Sequence, residues 1–136
     1  MIAYVLDASV VLNFLLGQNA ATERNFMTIL KEVENKKAKL FSTHLLPLEI
    51  GNGLRYSLGD EKLADEVLQK FLDLPIEFFV LKPAHFLKIL QMAYFLKASF
   101  YDTSYHFLAK LLKGDFVTSD DNYFKKAKKL GNIKLL

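Results

Sequence analysis

Two periods organise the apolar residues of this chain. Ile2 to Leu6 is a short unbroken run rich in β-branched residues, the pattern of a strand covered on both faces in a parallel sheet. Asp7 ends it. After it, Val10, Val11, Phe14 and Leu15 recur at helical spacing and Ser9 is a good N-cap, so the opening reads strand, acidic corner, helix.

The same alternation continues. Ala21 to Glu34 carries Phe26, Ile29, Leu30 and Val33 at helical spacing, and Lys39 to Phe41 predicts a short strand. Ser42 or Thr43 is placed to cap the next helix, in whose first turn Pro47 is tolerated. On that helix Glu49, Asn52 and Tyr56 share one face, and Leu46, Ile50 and Leu54 line another. A helix over Glu61 to Leu72, a strand over Ile76 to Leu81 and a helix from Pro83 follow. Then come a helix over Tyr101 to Leu112, closed by Gly114, a strand over Phe116 to Thr118, a helix over Asn122 to Leu130 and a strand over Ile133 to Leu135. Alternating strands and helices predict one α/β domain over residues 1–136 with a mostly parallel sheet.

Composition narrows this reading. The chain has 136 residues, 51% of them hydrophobic and twelve of them phenylalanine, which predicts a large core with apolar surface to spare and, from that surplus, a homodimer. There is no cysteine, so disulfides, thiolate metal sites and cysteine nucleophiles are excluded. No apolar stretch is long enough for a membrane span and no signal peptide is visible, so the expectation is a soluble, cytoplasmic protein. The net charge of +3 is mild. Lysines do gather at Lys36, Lys37 and Lys39 and at Lys125, Lys126, Lys128 and Lys129; such runs are usually solvated helix faces and less often nucleic-acid contacts.

The acids matter more. Asp7, Asp102 and Asp120 each stand at a strand end or helix start, where a carboxylate serves well as a cap. In a right-handed α/β sheet those ends share one edge. Converging carboxylates repel one another unless a cation holds them ionised, and an all-oxygen set without cysteine favours Mg²⁺ or Mn²⁺ over zinc. His106 follows Asp102 by one helical turn, a metal-ligand spacing, but a half-exposed structural histidine is the expectation. Tyr56 and Tyr105 could stack on a base, although aromatics at helical spacing usually belong to the core.

Four segments carry a family resemblance: Val-Leu-Asp7-Ala-Ser, Leu-Glu49-Ile-Gly-Asn52, Tyr101-Asp102-Thr-Ser-Tyr105-His-Phe-Leu-Ala109 and Val-Thr118-Ser-Asp120. In this order, across essentially the whole chain, they resemble the PIN-domain nucleases, above all the VapC-type toxins of toxin–antitoxin pairs. The resemblance implies a PIN-like three-layer α/β/α sandwich with sheet order 3-2-1-4-5 and Mg²⁺- or Mn²⁺-dependent cleavage of RNA. It also implies an antitoxin partner. By position, Asp7, Glu49, Asp102 and Asp120 match the family's acidic quartet, with Asp7 and Asp102 the more direct ligands. Thr118 matches a hydroxyl near the metal, Ser9 and Asn13 are supporting polar groups, and Asp121 could assist or replace Asp120. Two other readings remain: a catalytically weak RNA- or partner-binding module on this fold, and a haloacid-dehalogenase-like phosphatase. The latter chemistry needs an aspartate two residues after its nucleophile, where this chain has Ser9.

Overall fold

The structure, a computed structural model, describes residues 1–136. Strand β1 (Ile2–Leu6) leads into α1 (Ala8–Leu16) and α2 (Ala20–Glu34), and β2 (Ala38–Thr43) into α3 (Leu45–Ser57) and α4 (Glu61–Leu72). Strand β3 (Ile76–Phe79) is followed by α5 (Pro83–Leu96) and α6 (Phe100–Leu112), then β4 (Asp115–Thr118), α7 (Asp121–Ala127), a 3-10 turn over Lys128–Leu130 and β5 (Ile133–Leu135). The sheet order is β3-β2-β1-β4-β5 and every pairing is parallel, as the resemblance implied. Right-handed crossovers place α1 to α4 on one face and α5 to α7 on the other. The chain is therefore a three-layer sandwich.

Strand β1 is the centre of the sheet, between β2 and β4. Its residues Tyr4, Val5 and Leu6 are all buried, which is why the run lacks the polar alternation of a one-sided strand. Strand order reverses at β1 and β4, so their carboxyl ends open the crevice where α/β sheets bind ligands.

Several boundaries differ from the sequence reading. Ser9 does not cap α1; Asp7 does, its Oδ1 accepting from the Val10 amide at 3.1 Å, because the helix starts two residues earlier than a Ser9 cap allows. Neither Ser42 nor Thr43 takes the N-cap position of α3, which falls on His44. Ser42 instead donates to the Leu6 carbonyl at 2.7 Å, securing the carboxyl end of β1 to β2, and Thr43 accepts from the Leu45 amide at 3.3 Å. Strand β3 stops at Phe79, not Leu81, because Phe79 pairs with Thr43, the last residue of β2, and beyond it there is no strand to bond to. Gly114 does follow α6, but its tighter constraint is the neighbouring strand: a Cβ there would lie 2.2 Å from the Ala3 carbonyl oxygen.

Candidate active site

The four predicted acids come from four different elements. Asp7 ends β1 and caps α1, and Asp120 follows β4 and caps α7 through the Tyr123 amide at 3.0 Å. Asp102 lies in the first turn of α6, whose cap is Ser99, and Glu49 lies on α3. Strand ends and helix starts thus bring Asp7, Asp102 and Asp120 to the β1–β4 crevice, and α3 brings Glu49 across from β2.

Asp7 is the most constrained of them, only 4% exposed. Its Oδ1 accepts from the Ser9 hydroxyl at 2.7 Å and the Val10 amide, and its Oδ2 from the Thr118 hydroxyl at 2.6 Å. An ionised carboxylate only accepts, so both hydroxyl protons point at Asp7. Each hydroxyl oxygen in turn receives an amide proton from the turn after β4, Ser9 from Ser119 at 3.0 Å and Thr118 from Asp120 at 3.0 Å. These bonds fix Asp7 to the β4–α7 corner and leave one lone pair on Oδ2.

The electrostatics show that the acids face one another. Burial pushes the Asp7 carboxyl up to about 6, with the Asp102 charge adding to it and the bonds from Thr118, Ser9 and Val10 opposing it. Burial also raises Glu49, as does Asp102, against the bond from Tyr105. Asp102 itself is raised by burial and by Asp120, while Ser99 and the Lys126 ammonium act the other way. Asp102 is the shared neighbour of the other three.

No group of three or more acidic or histidine side chains is gathered tightly enough to hold a metal ion by itself. The donor chemistry nevertheless fits Mg²⁺ or Mn²⁺. Mg²⁺ keeps several waters and is commonly held by one or two carboxylates together with a substrate phosphate. Asp7 Oδ2 retains a lone pair, and Glu49 uses Oε1 for Tyr105 and leaves Oε2 open.

The remaining predicted residues fall into place around this cluster. Asn13 lies one turn beyond Ser9 on α1, half-buried, and its side chain takes no part in the hydrogen bonds around Asp7. Asp121 turns outward to an ion pair with Lys125 at 2.8 Å. Lys110 is tied to the Leu130 carbonyl at 2.7 Å, and Lys126 to that of Lys97 at 2.9 Å.

His106 is buried, not half-exposed. Its Nε2 bonds the Gly131 carbonyl at 2.7 Å and therefore carries the proton, so Nδ1 accepts from the Tyr123 hydroxyl at 2.9 Å. With both nitrogens engaged it has no lone pair for a metal. Burial lowers its pKa from the ordinary 6.5, so the unfolded chain takes up a proton that the folded one refuses, and this contribution to stability falls as pH drops below 6.5. His106→Leu should cost about 2–4 kcal/mol at pH 7.5 by orphaning the Tyr123 hydroxyl and the Gly131 carbonyl. Urea unfolding at pH 5.5 and 7.5 should show that this loss shrinks at the lower pH; a constant difference would contradict the neutral buried ring.

Tyr105 is not a stacking platform. It is fully buried, its ring stacks on Phe116 at 6.0 Å, and its hydroxyl donates to Glu49 Oε1. Its role as the partner of Glu49 has no sequence signal, since 56 positions separate the two.

A comparison with protein families matches the PIN domain to residues 4–130. Among solved structures, PAE2754 from Pyrobaculum aerophilum is 25% identical with a TM-score of 0.67, covering 97% of this chain and 83% of that one. VapBC2 from Rickettsia felis, bound to a promoter DNA fragment, is 14% identical with a TM-score of 0.70, covering 99% and 98%. VapBC-1 from nontypeable Haemophilus influenzae is 14% identical with a TM-score of 0.61, covering 98% of each. No curated protein matches the chain.

Proposed function

Since the chain belongs to the PIN-domain family, we propose that it is a metal-dependent endoribonuclease acting as the toxin of a toxin–antitoxin pair. The observation that carries this reading is Asp7, buried at the β1–β4 crevice, held by three donors and within the field of Asp102. A cap that served only its helix would not need two hydroxyls aimed at it from different elements.

Asp7 and Asp102 would hold Mg²⁺ or Mn²⁺, with Glu49 and Asp120 ligating directly or through water. When bound, such an ion polarises the scissile phosphate and lowers the pKa of a water. The chain's own groups prepare the site. Ser9 and Thr118 hold the Asp7 carboxylate in one orientation, Tyr105 holds Glu49, and Lys126 offsets part of the negative charge at Asp102. Ser9 occupies the position where a dehalogenase-like phosphatase needs its second aspartate, and its hydroxyl is committed to Asp7. The catalytically weak module is disfavoured because all four acids are present.

The neighbours VapBC2 and VapBC-1, and FitAB bound to a DNA fragment, support an antitoxin partner. A groove of about 890 Å³ between α3 and α4, lined by Leu54, Leu58 and Leu68 and also by Arg55, Glu61, Lys62 and Asp65, suits a tail of that partner that carries both apolar and charged residues. Leu87, Leu90 and Tyr94, exposed along α5, suit a homodimer.

The test is cleavage of structured and unstructured RNAs by the purified protein. Chelation should abolish cleavage and added Mg²⁺ or Mn²⁺ should restore it; cleavage that persists in excess chelator would refute the metal reading. Tyr105→Phe should lower kcat about ten- to a hundredfold with little change in KM, as losses behind a metal ligand do. Because the lost bond holds the Glu49 charge, the acidic limb of the pH–rate profile should move upward. A purely structural role would lower stability and leave that limb in place.

A further inference from the structure

Beside the acids, at the same carboxyl edge of the sheet, lies an apolar pocket of about 360 Å³ that the cleavage site described above does not use. It is closed by the ends of β2 and β3 and by the starts of α5 and α6. Its walls include His44, Phe79, Leu81, Phe86, Phe100 and Tyr101, and seven of its ten lining residues are hydrophobic. Phe86 and Phe100 stack on each other at 6.2 Å, giving one wall an ordered aromatic face. Tyr101 and Phe86 stay 59% and 44% exposed, and Tyr101 immediately precedes Asp102.

We infer that this pocket seats one unpaired nucleobase of the RNA whose phosphate lies at the acidic cluster, with Tyr101 as its main stacking platform. The inference rests on the ribonuclease reading and names the form of its substrate. Three features select that occupant. A concave, aromatic-walled cleft suits a flat ring, whereas the exposed stripe of α5 is convex. Its lining offers almost nothing to pair with a charge, so the neutral part of a nucleotide is what fits. A nucleotide whose phosphate sits at Asp102 has its base within reach of the residue before it. The Ser104 hydroxyl proton is committed to the Tyr101 carbonyl at 2.6 Å, and with seven of ten lining residues hydrophobic, recognition proceeds by stacking more than by base-edge hydrogen bonds. A base inside a duplex has its faces covered, so only single-stranded or looped RNA can enter.

The probe is a single-stranded oligoribonucleotide carrying 2-aminopurine at successive positions around the cleavage site, bound in Ca²⁺ and cleaved in Mg²⁺. One position should be strongly quenched by wild type. Tyr101→Ala should remove that quenching and weaken binding and kcat/KM about tenfold, while Tyr101→Phe should retain both. A strand abasic at that position should be handled equally by wild type and Tyr101→Ala. Equal behaviour of Tyr101→Ala and wild type on the intact strand, or an equal loss on the abasic one, would overturn the inference. Sedimentation supplies the other arm: a dimer reduced to monomer by Tyr101→Ala or Phe86→Ala would assign the pocket to a second copy instead. Quenching without any metal-dependent cleavage would refute the ribonuclease reading alone, and cleavage without quenching would refute the pocket alone.

Discussion

Asp7→Asn is expected to reduce metal-dependent RNA cleavage at least about a hundredfold while leaving the protein as stable as wild type, or more so, at neutral pH. The loss of activity follows from replacing the best-positioned anionic donor with a neutral amide that binds a hard cation poorly. Stability moves the other way because the folded protein keeps this carboxyl at about 6 against an ordinary 3.8. A raised carboxyl favours folding only while it is protonated, so its contribution declines as pH rises from about 4 to 6, and above that range the buried charge is a full burden. A shift of about two units corresponds to at most about 3 kcal/mol. Asparagine removes that burden. Urea unfolding of both proteins at pH 4.5 and 7.5 would show the variant gaining on wild type at the higher pH, and comparing the two proteins cancels the opposite trend from His106. Full cleavage by the variant would end the active-site assignment, and a loss of several kcal/mol at pH 7.5 would show that the carboxylate's hydrogen bonds outweigh its desolvation.

Gly114→Ala should be the most damaging of the glycine-to-alanine changes. The added Cβ would meet the Ala3 carbonyl oxygen at 2.2 Å and the Ala3 Cβ at 2.8 Å, and the first of these is strand backbone that no side-chain rotation can move. Relief requires β4 to separate from β1 next to the Tyr4–Asp115 pair, with a loss of about 3 kcal/mol or more. Separation also withdraws Thr118 from Asp7, so the residual folded protein should be poorly active. Gly51→Ala is the control: it lies within α3, where a new Cβ has nothing within 4 Å, and should raise stability by up to about 1 kcal/mol. Similar midpoints for the two variants in urea would remove the steric argument.

The glycine illustrates where the sequence reading stops. Its place after an apolar helical period marks it as a helix terminator, yet the left-handed residue that ends α6 is Lys113, and the clash that makes the glycine indispensable lies on a strand more than a hundred residues earlier. Ser9 is similar. A serine ahead of a helical run has the signature of a cap, and only the arrival of β4 shows that Asp7 takes that role while Ser9 serves Asp7 and the Ser119 amide. Tyr105 satisfies the spacing of both a core aromatic and a stacking one, and burial against Phe116 decides between them. Tyr101, four positions earlier on α6, is the exposed aromatic beside the acids, a distinction its sequence neighbours do not reveal.

By itself the sequence determined what depends on nearest neighbours along the chain: which runs are strands and helices, where they are punctuated, and that acids stand at the punctuation. It also carried, through four short motifs in order, enough resemblance to anticipate the sheet order. Tertiary structure alone decided which face each polar side chain turns to and with whom it bonds. The reason is physical: helix and strand periods are set by backbone geometry within a few residues, whereas the partners of Asp7, Glu49, His106 and Gly114 depend on elements that only sheet assembly brings together.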